Sequence, residues 1–330
     1  MHKRQLGKHG PMVSAIGVGC WSFAGSYGPT TEAESHDTLS AALELGIDFL
    51  DTANVYGNGI SENVIGSYVK HHPGRFTIAT KVGIYRNPET NVRGFNNSPK
   101  HLRSALENSL RNLKVDHVAL YYIHRREADR PIEDVMDTLV RFREEGKIGG
   151  IGFSEIAPSS LRRAHAVHPV MAVQSEYSLW TRGPELGMIQ ACSELGVAFV
   201  PFSPLGRGIF ARNLPEPSKF EKGDFRNGNP RFVEPSFSHN VRALEPFRAW
   251  CEKRTVSPAS VAIAWCLAQG PHLLPVPGTR SRAHLEELAA GTELKLTRSD
   301  LAEIAKCLPP GFAHGDRYTQ AQWPGAERYF

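Results

Sequence analysis

Residues 46–70 read G-I-D-F-L-D-T-A-N-V-Y-G-N-G-I-S-E-N-V-I-G-S-Y-V-K. The apolar run Gly46-Ile47-Asp48-Phe49-Leu50 predicts a short strand that ends on an acid, Asp51. Asn63 to Lys70 carries a helical pattern, and Ser61 is placed to cap that helix. Between them, Gly57, Asn58 and Gly59 favour a loop, because Gly and Asn tolerate positive φ. The loop also holds Tyr56, five residues past Asp51. In α/β proteins the loop after a strand's C-terminal end is where ligands bind. Alone, the stretch reads equally well as a turn capped by Asp51 beside a half-buried tyrosine.

The strand–helix rhythm continues in both directions. Upstream, Arg4-Gln5-Leu6-Gly7 with Gly10-Pro11 suits a small hairpin, followed by a strand over 13–19. Thr31 to Leu45 reads as a helix capped by Thr31. Downstream, strands are expected at 76–81, 117–124, 147–154, 170–174, 197–201 and 273–277. Helices are expected from Ser98-Pro99 to about Leu113, from Pro131 to near Glu145, from Pro158, and near 184–195. After the hairpin that makes eight strands, and eight βα units in 330 residues fit one (β/α)8 TIM barrel spanning 1–330. A doubly wound Rossmann sheet is the rival. It wants a Gly-rich turn leading straight into a helix, whereas Gly17-Val18-Gly19-Cys20-Trp21 opens a long loop. Two further loops, Asn87–Asn97 and Phe202–His239, are long enough to act as lids or binding loops over the C-terminal face. The tail from Pro309 onward keeps Tyr318, Trp323 and Tyr329, which suits a segment folded back over one end of the barrel.

Bulk properties narrow the function. A net charge of +4, spread along the chain, does not argue for nucleic acid. No window approaches the roughly 18 apolar residues of a membrane span, and the first residues lack a signal-peptide pattern. The five cysteines are scattered, with no CxxC spacing to suggest a disulfide framework or structural zinc. A cytoplasmic enzyme acting on a small molecule, as a monomer or small homo-oligomer, is the expectation.

Polar residues stand at successive strand ends: Asp51, then Lys81, then His124, with Tyr56 just past the first. A barrel brings such ends together on one face. There Lys81 can pair with Asp51 and sit against the Tyr56 hydroxyl, lowering the phenol pKa from about 10. A tyrosine tuned this way can act as general acid on a carbonyl under reduction. His124 can donate a hydrogen bond to the oxygen as charge develops on it. Singly, each has a structural reading: a salt bridge for Lys81 and Asp51, a core histidine for His124.

The sequence resembles the aldo-keto reductases, closest to their bacterial, fungal and plant branch. The resemblance rests on D-T-A-N-V-Y-G at 51–57, S-E-N-V-I-G at 61–66, T-K at 80–81 and Y-Y-I-H at 121–124. It continues through G-F-S-E at 152–155, Q-S-E-Y-S at 174–178, P-F-S-P-L-G-R-G at 201–208, D-F-R at 224–226, P-V-P-G-T-R at 275–280 and L-E-E-L at 285–288. It implies a barrel that binds NADPH (NADP+) across its C-terminal face and reversibly reduces an aldehyde or ketone. Asp51, Tyr56, Lys81 and His124 would be the catalytic set. Ser154, Glu155 and Gln174 would lie at the nicotinamide, with Tyr177 stacked on its ring, and Gly19 and Trp21 would also bind the cofactor. Ser203, Pro204, Leu205, Gly206 and Gly208 would approach the pyrophosphate. Gly278, Thr279, Arg280, His284 and Glu287 would take the adenosine end.

Three positions depart from the family pattern: Glu155 stands where Asn is frequent, His284 where Arg is, and Leu288 where Asn is. A carboxylate at 155 can accept from a carboxamide NH2 but cannot donate. Arg280 and Arg282 are the candidates to supply phosphate contacts. Trp21, Phe23, Tyr56, Arg125, Trp180 and the 85–97 loop are candidates for the substrate wall, with Trp323 from the tail closing it. Arg125 and Arg126 hint at an anionic or polyhydroxylated substrate, against the plain reading of solvated surface arginines. No metal is expected. Two other readings stay open: a non-catalytic barrel subunit that senses a cofactor, and a reductase working mainly as an alcohol dehydrogenase.

Overall fold

A computed structural model describes every residue except Pro88, Asn91 and Phe330. The strands are β1 (Lys3–Gln5), β2 (Met12–Ser14), β3 (Val18–Gly19), β4 (Phe49–Asp51), β5 (Thr77–Val82), β6 (Ile84–Arg86), β7 (Arg93–Phe95), β8 (Leu120–Ile123), β9 (Ile151–Ser154), β10 (Ala172–Glu176) and β11 (Ala198–Phe202). The helices are α1 (Glu32–Glu44), α2 (Ile60–Val69), α3 (Pro99–Leu113), α4 (Ile132–Glu144), α5 (Pro158–Val167), α6 (Met188–Leu195), α7 (Ser236–Lys253), α8 (Pro258–Ala268), α9 (Arg282–Ala290) and α10 (Arg298–Cys307). Seven strands form one parallel sheet in the order β3-β4-β5-β8-β9-β10-β11. It curls into a nearly closed TIM barrel.

The expected eighth strand closes it without a full ladder. Leu274 and Val276 donate from their N–H groups to Phe199 and Pro201 at 2.9 Å each. On the other edge, the carbonyls of Pro275 and Pro277 accept from Gly17 and Gly19 at 2.9 Å each. The two prolines have no N–H to return, so only half of that ladder can form. The expected first strand also divides. Met12–Ser14 pairs back on Lys3–Gln5 as a hairpin, and only Val18–Gly19 enters the barrel.

The side-chain period of two decides what lies inside the barrel. Phe49, Ala79, Leu120, Tyr122, Ala172, Ala198, Val200, Leu274 and Val276 form an inner apolar cluster, joined by Leu6 and Val13 of the hairpin. The alternate residues, among them Leu50, Ile78, Tyr121, Ile123, Phe153, Val173 and Phe199, face the helices. Gly152 lies opposite Tyr122, where a Cβ would come within 2.4 Å of the Tyr122 ring. The missing side chain makes room for that ring inside the barrel.

Local signals account for most helix starts. Thr31 caps α1 through a capping box with Glu34, and Ser98 caps α3 just before Pro99. Ser61 differs from expectation. Gly59, at φ 93°, precedes α2, and Ser61 lies inside it. Its buried hydroxyl bonds Thr52 Oγ1 and the Cys20 carbonyl, both at 2.8 Å. It thus ties α2 to two strand ends instead of capping a helix. The polar 87–97 stretch belongs to a β-hairpin, with Ile84–Arg86 antiparallel to Arg93–Phe95; Pro88 and Asn91 of that stretch are outside the described residues. The tail folds back as expected. The Glu327 N–H donates to the Glu155 carbonyl at 2.8 Å, and the Tyr329 hydroxyl donates to Ser175 at 3.3 Å. Among the described residues, no helix is long and apolar enough to cross a membrane.

Candidate active site

Continuing the inner parity of each strand by two residues gives Asp51 after Phe49, Lys81 after Ala79, His124 after Tyr122, Ser154 after Gly152, Gln174 after Ala172 and Phe202 after Val200. The polar cluster is therefore the topmost layer of the barrel interior, where the apolar filling stops. Lys81 is fully buried, and its ammonium pairs with Asp51 Oδ1 and donates to the Thr52 carbonyl at 2.9 Å. It also lies 3.5 Å from the Tyr56 hydroxyl. Gln174 Nε2 donates to Asp51 Oδ2 at 2.8 Å, so both oxygens of that carboxylate are engaged. The Tyr56 ring is held between Trp21, stacked at 5.7 Å, and His124, edge-on at 5.8 Å.

Burial sets the electrostatics. It pushes the Tyr56 phenol up, and the Asp51 carboxylate pushes it further, against the pull of Arg125. The expected lowering by Lys81 is thus not found. The ammonium is bound to Asp51, and its field at the phenol is offset by that partner. Tyr56 accordingly holds its proton throughout the neutral range. Burial lowers the Lys81 ammonium, with Asp51 opposing. It lowers His124 well below its usual value, helped by Arg125 and then Lys81, so the imidazole is neutral at pH 7. Its Nδ1 is enclosed without a partner among the described residues, so the ring nitrogen left to serve a ligand is Nε2.

These groups open onto a cavity of about 1550 Å³. It extends past Ser154, Gln174 and Phe202 to Ser203, Pro204, Leu205 and Gly208, and on to Gly278, Thr279, Arg280, His284, Glu287 and Leu288. Gly19 and Trp21 form part of its wall. Ser203 (φ 50°), Gly206 (φ 55°), Arg207 (φ 59°) and Gly208 (φ 99°) all lie in the left-handed region, which makes a sharp turn beyond β11. Gly206 faces away from the cavity, where a Cβ would meet Trp180 at 2.8 Å. The Phe225 N–H donates to the Ser26 carbonyl at 3.0 Å, so the long loop bridges the cavity to the segment after β3.

Several expected residues lie elsewhere. Tyr177 is fully buried in the helix-facing layer, against Phe199 and Trp265, with its hydroxyl donating to Glu185 at 2.8 Å. It has the outer parity of β10 and cannot reach a ring in the cavity, whereas Phe202 can. Phe23 and Trp180 are core residues; Trp180 packs on Phe232, with the Arg231 guanidinium over its ring. Trp323 rests against Tyr318 and bonds Asp316 at 2.9 Å, while Tyr318 and Gln322 supply the tail's share of the cavity wall. Arg282 is tied to Asp37 and Glu44 on α1, away from the cavity. Arg126 is paired with Glu327.

Glu155 also turns away. At φ 57° its carboxylate leaves the cavity and takes a two-pronged bond from Arg317 of the tail, besides accepting from the Glu176 N–H at 2.8 Å. Tyr27, Phe202, Phe225 and Tyr318 line the cavity without having been singled out for it, while Tyr85 and Arg93 come from the 85–97 stretch expected in its wall. Phe202 was open to a parity argument. Tyr318 reaches the site through tail docking, which no local pattern reports.

The Aldo/keto reductase family model matches residues 15–309. The chain belongs to the aldo-keto reductase family. It is 38% identical over 323 residues to probable aldo-keto reductase 1 of Glycine max, covering 95% of this chain and 91% of that one. It is also 38% identical over 319 residues to the aldo-keto reductase yakc [NADP(+)] of Schizosaccharomyces pombe, covering 95% and 93%. Among solved structures, a glycerol dehydrogenase from Gluconobacter oxydans superposes with a TM-score of 0.83 at 25% identity, covering 94% of this chain and 96% of that one. An aldo-keto reductase from Bacillus halodurans, in its holo form, gives 0.77 at 26%, covering 97% and 99%. As a family member the chain is an oxidoreductase enzyme.

The residues present fit a nicotinamide dinucleotide. With Nε2 committed to Asp51, Gln174 has its carbonyl oxygen to offer a ligand. With Arg125 donating to it at 3.0 Å, Ser154 has its hydroxyl proton to offer. One acceptor beside one donor matches a primary carboxamide.

Proposed function

We propose that the enzyme reversibly reduces an aldehyde or ketone with NADPH, Tyr56 supplying the proton. One observation carries this reading. The Tyr56 hydroxyl, protonated and beside the Lys81–Asp51 pair, faces the same cavity as Ser154 and Gln174. When bound, NADPH supplies the hydride taken up by the carbonyl carbon.

The chain's own groups do the rest. Gln174 and Ser154 hold the carboxamide, and Phe202 takes the flat contact first expected of Tyr177. Tyr56 donates its proton to the carbonyl oxygen, and Lys81 steadies the phenolate that results. Neutral His124 donates from Nε2 to the same oxygen and fixes its direction. In alcohol oxidation the same groups run in reverse. A panel of aldehydes, ketones and alcohols followed by NADPH absorbance tests the assignment, and no turnover in either direction with any of them would refute it.

At the far end of the cavity, Arg280 donates to the Tyr27 and Gly28 carbonyls at 2.9 and 3.1 Å, with His284 alongside in the wall. Arg212, 76% exposed, reaches only weakly toward Glu287 at 3.7 Å. Arg280 and Arg212 favour the 2′-phosphate of NADPH over the free hydroxyl of NADH. The expected Michaelis constant for NADPH is lower by about tenfold or more, the size of one charge-assisted contact. A clear NADH preference would overturn the assignment.

A further inference from the structure

We propose that the carbonyl substrate carries an oxyanion, a carboxylate or phosphate, and that Arg125 and Arg93 receive it beside His124. This deepens the proposed carbonyl reduction and rests on it.

Arg125 is a buried cation that no carboxylate contacts among the described residues. Arg125 is only 6% exposed and follows His124 directly, in the cavity wall. Its guanidinium donates to the His124 carbonyl at 2.6 Å, to Ser154 Oγ at 3.0 Å and to the Tyr318 hydroxyl at 3.4 Å. All three acceptors are neutral. Its Nε is buried and has no partner among the described residues. No carboxylate among the described residues pairs with it, although Arg126 and Arg130, close by in sequence, pair with Glu327 and Glu127. A buried guanidinium without a counter-ion is costly, and proteins ordinarily pair one.

Arg93, on the β6–β7 hairpin, repeats the pattern. It lines the same cavity and donates to the Gln322 carbonyl at 3.3 Å, again without a carboxylate among the described residues. Burial, and then Arg125, push its guanidinium down to about 10. Arg93 bonds the tail at Gln322 and Arg125 bonds it at Tyr318, so the two cations reach the cavity under the same tail segment.

The acids of the wall cannot offset them. Asp51 is neutralised by Lys81, Glu155 behind the wall is taken by Arg317, and Glu62 is bonded to Thr80 and Asn112, with no bond to either arginine among the described residues. Glu287 lies on α9, beside the adenosine end, near Arg212. The surroundings of Tyr56 and His124 thus carry uncompensated positive charge, framed by the apolar faces of Trp21, Tyr85 and Tyr318. A neutral aldehyde would leave both guanidinium groups unmatched. An oxyanion substituent would meet them, and the planar fork of arginine suits carboxylate and phosphate alike.

The test compares matched pairs with the wild-type enzyme and NADPH: 4-oxobutanoate against butanal, 2-carboxybenzaldehyde against benzaldehyde, and glyceraldehyde 3-phosphate against glyceraldehyde. The expected result is a kcat/KM higher for the anionic member of at least one pair by tenfold to a hundredfold, the order of magnitude of a charge-assisted hydrogen bond in a desolvated site. The preferred pair identifies carboxylate or phosphate. Arg93→Gln and Arg125→Gln should each cut that ratio by most of its value, chiefly through KM of the anionic member. The neutral member of each pair serves as the control for cofactor binding and folding. A ratio below about threefold in every pair, or a preference that survives both substitutions, overturns the proposal. Absence of turnover with neutral and anionic compounds alike instead overturns the carbonyl reduction on which it rests.

Discussion

Replacing Tyr56 by phenylalanine will lower kcat by roughly 10²-fold to 10⁴-fold, the usual worth of a positioned general acid, while cofactor affinity stays within a few-fold of wild type. The phenyl ring still fits between Trp21 and His124, since both contacts are made by the ring face and edge and not by the hydroxyl. Ser154 and Gln174 keep their places because their partners are Arg125 and Asp51. The loss therefore falls on the chemical step. Cofactor affinity can be read by fluorescence titration and turnover by absorbance. A variant retaining near-normal turnover would dismiss the tyrosine as proton donor.

The pH dependence separates Tyr56 from its neighbour. Burial and Asp51 hold the Tyr56 phenol above its ordinary value, so the proton donor is not exhausted on the alkaline side before about pH 10. The Lys81 ammonium is held below its ordinary value. As pH rises it is lost first, leaving Asp51 buried and uncompensated. The alkaline limb of the reductive kcat/KM then reports Lys81. On the acid side, His124 is depressed well below its usual range, so the rate holds steady as pH falls through 6.5.

Much of this site was legible because a barrel strand has a period of two. Once Phe49, Ala79 and Leu120 are placed inside, Asp51, Lys81 and His124 must follow them. The same arithmetic separates Phe202 from Tyr177: 198, 200 and 202 share the inner face of β11, whereas 173, 175 and 177 run along the outer side of β10. A motif reading that ignores parity chooses the wrong ring. Other features had no local signal. Ser61 resembles a helix cap, but Thr52 and Cys20, distant in sequence, claim its hydroxyl. The last strand reads as apolar and extended, yet its two prolines allow half a ladder on one edge, which only the closed barrel reveals.

Glu155 shows most fully what sequence could not supply, and its partner gives the second large expected effect. Arg317→Ala should destabilise the fold by about 3–5 kcal/mol, the cost of leaving one partner of a buried ion pair uncompensated. The pair joins residues 162 positions apart, with side chains 14% and 1% exposed. Arg317 also lies 3.5 Å from Glu176, which pairs with Arg207 at 2.9 Å. Its guanidinium packs over Tyr318 and Trp323 at 4.6 and 5.0 Å, so the substitution also loosens a wall of the cavity.

The sign of the pH dependence follows from the carboxyl group. Burial alone would raise Glu155, but Arg317 outweighs it and holds the acid below its ordinary value. The stabilisation is therefore present in full above the unfolded carboxylate range, near pH 4–5, and is lost as pH falls through the depressed value. Without Arg317, burial prevails and Glu155 prefers its proton. The variant then gains relative stability as pH falls from 7 toward the unfolded carboxylate range, a window in which the wild type still keeps its full stabilisation. Urea midpoints at pH 7 and pH 5 should show the gap between the two proteins narrowing. A gap under about 1 kcal/mol at pH 7, or one unchanged at pH 5, would mean that the tail is held by its aromatic packing and that the ion pair contributes little.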